Sequence, residues 1–234
     1  MKYFIVSDIH AHYNVLKKEL DKNKFSPEDK LIVVGDLFDR GKESKEVLIY
    51  LKDLWDQGKC EIIMGNHDVF LLDFLNENYG RVQFNIERNG FAETLISLSG
   101  CHEINQNYPE IRDKIIVNFP YLKEWLESFP LFKETDSYIF VHGGIDGSDP
   151  DWKKSTVRDF VWGRQYDLPR HKDKTVIAGH HRVATIRKKD FIDYNKLFLD
   201  DKKQFDIMYC DGKILIDRFV EVSKELNILI LDDL

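Results

Sequence analysis

The stretch that decides the fold is Leu31-Ile32-Val33-Val34-Gly35-Asp36-Leu37-Phe38-Asp39-Arg40-Gly41. Its first four residues are apolar and mostly β-branched, which predicts a short strand buried inside a sheet. Its polar residues follow the carboxyl end of that strand directly. Ligands bind at this position in open α/β sheets. The stretch therefore predicts an α/β fold with a functional site just beyond its strand ends.

Four other apolar runs end in the same way, in a cluster of Gly, Asp, Asn or His. They are Tyr3–Val6, Glu61–Met64, Tyr138–Val141 and Thr175–Ala178. Amphipathic patterns lie between the early runs and predict helices over Tyr13–Lys22, Ser44–Trp55 and Asp68–Tyr79. The first third of the chain is thus expected to alternate strand and helix.

The middle section, about residues 81–129, lacks strand signals. We expect a helical insertion there, with helical stretches at Gly90–Leu98, Pro109–Asn118 and Tyr121–Phe129. From Arg187 on, the chain has the pattern of strands with turns. Asp211-Gly212, between Ile207–Cys210 and Lys213–Asp217, predicts a hairpin. We interpret residues 1–234 as a single domain.

Composition excludes several classes of protein. The formal net charge of −7 argues against an extended basic surface for nucleic acid or anionic lipid. The three cysteines form no CxxC pair, which favours free thiols in a reducing compartment. The apolar run at the start is too short for a signal peptide, and no run of about 18 apolar residues occurs. We expect a cytoplasmic protein that binds neither membrane nor nucleic acid.

The strand ends carry residue types that bind metal ions. These are Asp8-Ile9-His10, Gly35–Gly41, Gly65-Asn66-His67-Asp68, His142-Gly143-Gly144 and Gly179-His180-His181. Carboxylate oxygen, amide oxygen and imidazole nitrogen suit Mn²⁺, Fe and Zn²⁺. Asp8 and His10 alternate along the chain, so both can face one ion. Asp36 is the natural carboxylate to bridge two ions.

The ordered set DxH, GDxxDRG, GNHD, HGG and GH resembles the phosphoprotein phosphatase branch of the calcineurin-like metallophosphoesterases. The stretch Asn89-Gly90-Phe91-Ala92-Glu93-Thr94-Leu95 is similar to the NGGxxTL of bacterial members. Pro130-Leu131-Phe132 before the Tyr138–Val141 run fits as well. The resemblance covers most of the chain. It implies a four-layer α/β/β/α sandwich with two mixed β-sheets, and a site along one edge.

The resemblance also implies roles for single residues. Asp8 and His10 would hold the first metal, Asp36 would bridge, and Asn66, His142 and His180 would hold the second. Arg40 and Arg164 would grip phosphate oxygens, and His67, paired with Asp39, would protonate the leaving group. The implied cofactor is two divalent metal ions, with Mn²⁺ favoured over Fe, Zn²⁺ or Ni²⁺.

The expected reaction is hydrolysis of a phosphomonoester by direct attack of metal-activated water. The expected substrate is phosphoserine or phosphothreonine in a protein, or a small phosphoester. One alternative is a symmetrical dinucleoside tetraphosphatase, whose second motif typically reads GDxxNRG where this chain has Asp39. A 2′,3′-cyclic phosphodiesterase is another alternative. A fold that binds a partner without turnover is the non-enzymatic one.

The first motif departs from the family pattern. The usual sequence is GDxHG, and this chain has Ser7-Asp8-Ile9-His10-Ala11. The departure leaves both ligand types in place. We expect it to change the turn beside the first metal.

Overall fold

Short apolar runs form nine strands in the described part of the chain, which is residues 1–104, 107–232 and 234 of this computed structural model. In chain order these are β1 (Tyr3–Val6), β2 (Lys30–Val34), β3 (Cys60–Ile63), β4 (Phe132–Glu134), β5 (Tyr138–Val141), β6 (Thr175–Ala178), β7 (Met208–Cys210), β8 (Lys213–Leu215) and β9 (Leu229–Leu231). The five apolar runs identified in the sequence all form strands, with ends shifted by one residue at most. The predicted hairpin is the β7–β8 pair.

The strands form two mixed sheets. The first has the order β3–β2–β1–β9, in which β9 is antiparallel to its neighbour. The second has the order β4–β5–β6–β8–β7, in which the two outer strands are antiparallel to theirs. The remaining pairs in both sheets are parallel.

The helices lie on the outer faces of the two sheets. They are α1 (Tyr13–Lys22), α2 (Ser44–Asp56), α3 (Asn66–Leu75), α4 (Val82–Asn89), α5 (Phe91–Ser99), α6 (Tyr108–Asn118), α7 (Leu122–Glu127), α8 (Val157–Trp162), α9 (Val183–Arg187), α10 (Tyr194–Asp200) and α11 (Val220–Ser223). Single 3₁₀ turns occur at Trp152–Lys154 and Lys202–Phe205. Within the described residues, every helix is too short or too polar to cross a lipid bilayer.

The core consists of an inner and an outer apolar layer. Between the sheets, Ile32 and Ile63 of the first pack with Phe140 and Ile177 of the second, all at 1% exposure or less. The opposite faces of the strands belong to a cluster shared with the helices, which includes Val33 of β2 and Leu48 of α2. Burial on both faces explains why the strands are continuously apolar. The predicted four-layer α/β/β/α sandwich is confirmed.

Strand register places the candidate site. In the first sheet, Val6 pairs with Val33 and Val34 pairs with Ile63, so β1, β2 and β3 end at the same edge. In the second sheet, the parallel β5 and β6 end together. The loops that follow these five strands carry the motifs found in the sequence. Parallel pairing gathers the motifs within each sheet, and the packing of the two sheets brings both sets together, so that the His180 amide contacts Asp8, 172 residues away in the chain.

The segment after Arg187 was predicted as strands with turns, and this is wrong before the hairpin and also after it, where Val220–Ser223 forms α11. Residues 194–205 form α10 and a 3₁₀ turn. Tyr194, Leu197 and Phe198 recur at helical spacing and pack on the fully buried Phe205. The Asp193 carboxylate accepts a hydrogen bond from the Lys196 amide and caps the helix. A cap followed by an i, i+3, i+4 stripe was the signal for this helix.

The middle section is helical, as expected, with one difference. It contains α4, which was not predicted, in addition to α5, α6 and α7. Residues 105 and 106 lie within the predicted insertion but outside the described residues. The preceding helix, α3, begins two residues earlier than predicted. The Asp68 carboxylate explains this, because it accepts a hydrogen bond from the Gly65 amide and so caps a helix that starts at Asn66.

Replacement of Phe140 by alanine tests the layer between the sheets. Phe140 is fully buried there, so Phe140→Ala is expected to lower the free energy of unfolding by about 3–5 kcal/mol, through lost burial and a cavity. Urea titration followed by circular dichroism measures the change. Ile192→Ala is the control, because that side chain is 97% exposed and its removal should have little effect. Equal losses in the two variants would contradict the packing described.

Candidate metal centre

Six predicted ligand residues converge beyond the ends of β1, β2, β3, β5 and β6. All except His180, which is partly exposed, are nearly inaccessible to solvent: Asp8, His10, Asp36, Asn66 and His142. Charged groups with so little exposure normally require a compensating charge. The site therefore concentrates side chains that need a partner of opposite charge or a metal ion.

Asp36 lies at the centre of this set. Its carboxylate belongs to two groups of side chains whose ligand atoms lie within 4.8 Å of one another: His10, Asp36 and His67, and Asp36, His142 and His180. A carboxylate common to two such groups can bridge two metal ions. The His67 ring in the first group has other partners, described below, and Asp8 lies on the same side of the site.

The orientation of His10 supports a cation in the first group. Its Nδ1 donates to the Phe38 carbonyl oxygen at 2.9 Å, which leaves the Nε2 lone pair free. That Nε2 is buried without a hydrogen-bond partner and lies 3.7 Å from Asp36 Oδ2 and 3.9 Å from Asp8 Oδ1. A lone pair and two carboxylates facing one another repel unless a cation lies between them. The donor set fits a divalent metal ion.

His142 is oriented in the same manner in the second group. Its Nδ1 donates to the Val34 carbonyl oxygen at 2.9 Å. Its Nε2 is thereby directed at the Asp36 Oδ1, 3.3 Å away, and at the Asn66 Oδ1, 3.0 Å away. Backbone hydrogen bonds of this kind fix the tautomer and ring plane of metal-binding histidines. Asn66 offers an amide oxygen toward the same point.

Electrostatics at the site reflect the crowding of buried acids. Burial, together with Asp217 and Asp36, raises the pKa of Asp8 well above its usual value. Burial also opposes ionisation of Asp36, but His142 and His67 outweigh it and hold the pKa of Asp36 well below the usual value. Asp36 is therefore the charged centre of the site. Divalent cations would stabilise the charged form of Asp8 as well.

Asp68 was not among the predicted site residues, and it shapes the loop that carries Asp36. Its buried carboxylate accepts hydrogen bonds from the amides of Gly65, Asp36 and Leu37 at 2.9–3.0 Å. Burial and the proximity of Asp36 raise the pKa of Asp68 to about 7. Asp68 thus links the loop after β2 to the loop after β3. Its place at the end of the GNHD motif was the available signal.

The site loops hold strained backbone. Non-glycine residues rarely adopt positive φ, at a cost of about 1–3 kcal/mol each, and such residues cluster at functional sites. Here they are Asp8, His10, Ala11, Asp36, Asp39, Arg40 and His180, with φ between 45° and 71°. Ala11 stands where the usual family motif has glycine, and it adopts the left-handed conformation at φ 54°. Ala11 thus adopts a backbone conformation that glycine adopts at lower cost.

His67 is held by a buried carboxylate. Its Nδ1 lies 2.7 Å from Asp39 Oδ2, and the Thr94 hydroxyl donates to Asp39 Oδ1 at 2.6 Å. Its Nε2 faces the cavity and lies 3.2 Å from Arg40 Nη2. A carboxylate on one ring nitrogen leaves the other nitrogen available for proton transfer. Thr94 comes from α5, in the NGFAETL stretch.

The arginines are arranged differently from the prediction. Arg40 lines the cavity of about 270 Å³ that contains Asp36 and His67, but the second arginine at that cavity is Arg182. The predicted Arg164 is exposed and lines a neighbouring groove. Arg182 follows the GHH sequence directly, and that adjacency was the signal for it.

One carboxylate holds both cavity arginines. Glu221 Oε1 lies 2.7 Å from Arg40 Nη1 and 2.7 Å from Arg182 Nη2. The Arg182 guanidinium also lies over the Phe219 ring, 3.9 Å from its centroid. Burial opposes ionisation of Glu221, but His10, Arg40 and Arg182 lower its pKa to about 2. Two cations are thus fixed beside the two ligand groups.

Comparison with known sequences gives two findings. A sequence model of the family described as calcineurin-like phosphoesterase matches residues 1–210. The symmetrical bis(5′-nucleosyl)-tetraphosphatase of Actinobacillus succinogenes is 29% identical over 161 residues, covering 68% of this chain and 48% of that protein. The chain therefore spans about half the length of the curated relatives it matches.

Comparison with solved structures shows a shared fold. A candidate diadenosine tetraphosphatase superposes with a TM-score of 0.62 at 16% identity, covering 99% of this chain and 89% of that one. A cold-active protein-tyrosine phosphatase of a psychrophilic Shewanella superposes with a TM-score of 0.58 at 18% identity, covering 99% and 75%. At these identities the likeness concerns the fold alone.

Substitutions at Asp36 and His67 separate metal binding from the other roles of the site. Asp36→Asn is expected to abolish binding of both ions, because it removes the charge common to the two groups. His67→Asn should keep them. Elemental analysis of protein dialysed against Mn²⁺, and the rise in melting temperature on Mn²⁺ addition, measure this without any substrate. An Asp36→Asn protein that retained two ions would contradict the assignment.

Proposed function

This chain belongs to the calcineurin-like phosphoesterase family, and we propose that it hydrolyses a dinucleoside polyphosphate with metal-activated water. The observation that carries the hydrolytic part is the Asp36 carboxylate, common to two groups of metal-binding side chains. Two-metal sites of this kind are typical of phosphoryl-transfer hydrolases. The name of the A. succinogenes relative supports the choice of substrate.

The ligand chemistry divides into two sets around Asp36. Asp8 and His10 would hold one ion with Asp36, while Asn66, His142 and His180 would hold the other with Asp36. When bound, two divalent ions lower the pKa of a water molecule and bind phosphate oxygens. Oxygen and imidazole donors accept Mn²⁺, Fe, Zn²⁺ and Ni²⁺. We propose Mn²⁺, because oxygen donors are well represented in the set.

Arg40 and Arg182 would bind the phosphoryl group that is attacked. Both line the cavity, and Glu221 fixes their separation in advance. Guanidinium groups match phosphate oxygens in pairs, and cations fixed beforehand require little reorganisation as charge develops. Arg164 lies outside this cavity, so we assign to Arg182 the binding of phosphate oxygens that was predicted for Arg164.

His67 would donate the proton to the leaving oxygen when the P–O bond breaks. Asp39 holds its Nδ1, so Nε2 is the atom that exchanges the proton. Arg40 Nη2 lies 3.2 Å from that Nε2, and its N–H would donate to a substrate phosphate oxygen instead, while Nη1 stays on Glu221. Release of Nε2 from Arg40 would allow the ring to hold a proton there. Substrate binding and acid catalysis are thereby linked through one arginine.

Hydrolysis of phosphomonoesters in proteins is the second candidate. Asp39 favours it, because the tetraphosphatase motif typically has Asn at this position, and Asp39 contacts His67 directly. A carboxylate stabilises a protonated histidine better than an amide does. A strong general acid matters most for a poor leaving group such as a serine alkoxide. A cyclic phosphodiester is the third candidate, without an observation that favours it.

A substrate panel tests the proposed function. Purified protein with Mn²⁺ is incubated with diadenosine tetraphosphate, a phosphoserine peptide and a 2′,3′-cyclic nucleotide, and products are separated by anion exchange. We expect two molecules of ADP per dinucleotide and the highest kcat/KM on that substrate. The Asp36→Asn protein is the matched blank. Turnover of the phosphopeptide alone would establish the second candidate instead.

Removal of Arg182 tests which arginines bind the reacting phosphoryl group. Arg182→Ala is expected to reduce kcat/KM on p-nitrophenyl phosphate by about 10- to 100-fold, the usual effect of losing a charged hydrogen bond of about 1.5–3 kcal/mol. Arg170→Ala is the control, because Arg170 is exposed and paired with Asp211 away from the cavity. Unchanged kinetics in Arg182→Ala would remove Arg182 from the site.

A further inference from the structure

A groove of about 700 Å³ opens beside the metal cavity. Its lining includes residues of α8 and of the loop after it, together with Val69 of α3. Trp162 lines both the groove and the cavity, so the two spaces are neighbours. The cavity alone, at about 270 Å³, lies just below the usual range for small-molecule sites, and the groove lies within that range. A substrate as large as a dinucleotide would extend from the cavity into the groove.

The groove is positively charged in a chain whose net charge is −7. Arg81, Arg158 and Arg164 line it, and all three are exposed. In the part of the chain that the structure describes, none of these arginines forms an ion pair. Asp159 is the one acid among the described lining residues; it accepts hydrogen bonds from the Thr156 amide and hydroxyl, caps α8 and lies close enough to Arg158 to interact with its charge. The groove thus presents three guanidinium groups to an anionic ligand.

Trp162 gives the groove an aromatic wall in a fixed position. Its side chain is 40% exposed, unusual for a residue of this size. The ring packs against Phe70, 5.8 Å between centroids, and stands edge-on to the His180 ring at 5.6 Å. These contacts fix the indole between the metal ligands and the groove. Exposed aromatic rings next to cationic groups are typical platforms for a nucleobase in nucleic-acid-binding proteins.

We propose that this groove binds the nucleotide that lies beyond the cleaved bond. The arginines would bind the phosphates of that half, and Trp162 would stack on its base or ribose. This subsite rests on the proposed function and extends it to substrate selection. In this subsite Arg164 would contact a distal phosphate rather than the phosphate that is attacked. The ligand class is a nucleoside diphosphate or the corresponding half of a dinucleotide.

Two variants test the subsite: Arg158→Ala, which removes an exposed guanidinium, and Trp162→Ala. Each is assayed with Mn²⁺ on diadenosine tetraphosphate and on p-nitrophenyl phosphate, with Arg170→Ala as the matched surface control. We expect KM for the dinucleotide to rise about ten-fold or more, the effect of losing one charged or stacking contact. The rise on the small ester should be several-fold smaller. Equal changes on both substrates would overturn the subsite.

A second readout separates this inference from the proposed function. ADP is titrated as an inhibitor of p-nitrophenyl phosphate turnover, which requires no hydrolysis of a dinucleotide. We expect Arg158→Ala to raise the inhibition constant for ADP about ten-fold and Arg170→Ala to leave it unchanged. If the wild type fails to cleave the dinucleotide, the function fails while this shift still supports the groove. An unchanged constant, or weakened inhibition by a phosphoserine peptide but not by ADP, would overturn the groove.

Discussion

The site depends on one carboxylate, that of Asp36. It accepts a hydrogen bond from the His67 amide at 2.9 Å and lies 3.3 Å from His142 Nε2 and 3.7 Å from His10 Nε2. The Asp36 amide in turn donates to Asp68. Residues that follow strands of both sheets therefore converge on the Asp36 carboxylate. A shift of this side chain would separate the two ligand groups, since no other carboxylate is common to both groups.

The site loops that position Asp36 have a strained backbone. Burial of the strands in the core offsets the energetic cost of that strain. Asp36 and His180 have left-handed φ angles although neither is glycine. The strands that precede them are buried on both faces and paired in parallel. A site built at the ends of rigid strands can keep such conformations, because relaxing them would disrupt strand pairing. The atoms around Gly35, which has φ +79°, are closely packed: a Cβ there would lie 2.5 Å from His142 Nδ1.

Positive charge is concentrated at the cavity and at the groove beside it. The chain as a whole is acidic, yet Arg40 and Arg182 face the cavity, and three more arginines face the groove that Trp162 joins to it. Local clusters of guanidinium groups attract anionic ligands even where the net charge is negative. Glu221 pairs with both inner arginines, whereas among the described residues the outer three form no ion pair.

The sequence by itself determined the five strands that lead to the site, the hairpin, the order of the motifs and the residue types at the strand ends. Each of these is local, because an apolar β-branched run followed by Asp, Asn or His can be recognised within about ten residues. Parallel pairing within each sheet and the packing of the two sheets then bring the motifs together. The helix at Tyr194–Asp200 was also local, but its apolar stripe was short and lay next to a strong hairpin signal. Only the tertiary structure decided that Arg182, tied to Glu221, faces the cavity while Arg164 faces the groove. An arginine side chain is long and flexible, so the position of its guanidinium depends on which carboxylate and aromatic ring, distant in sequence, it contacts.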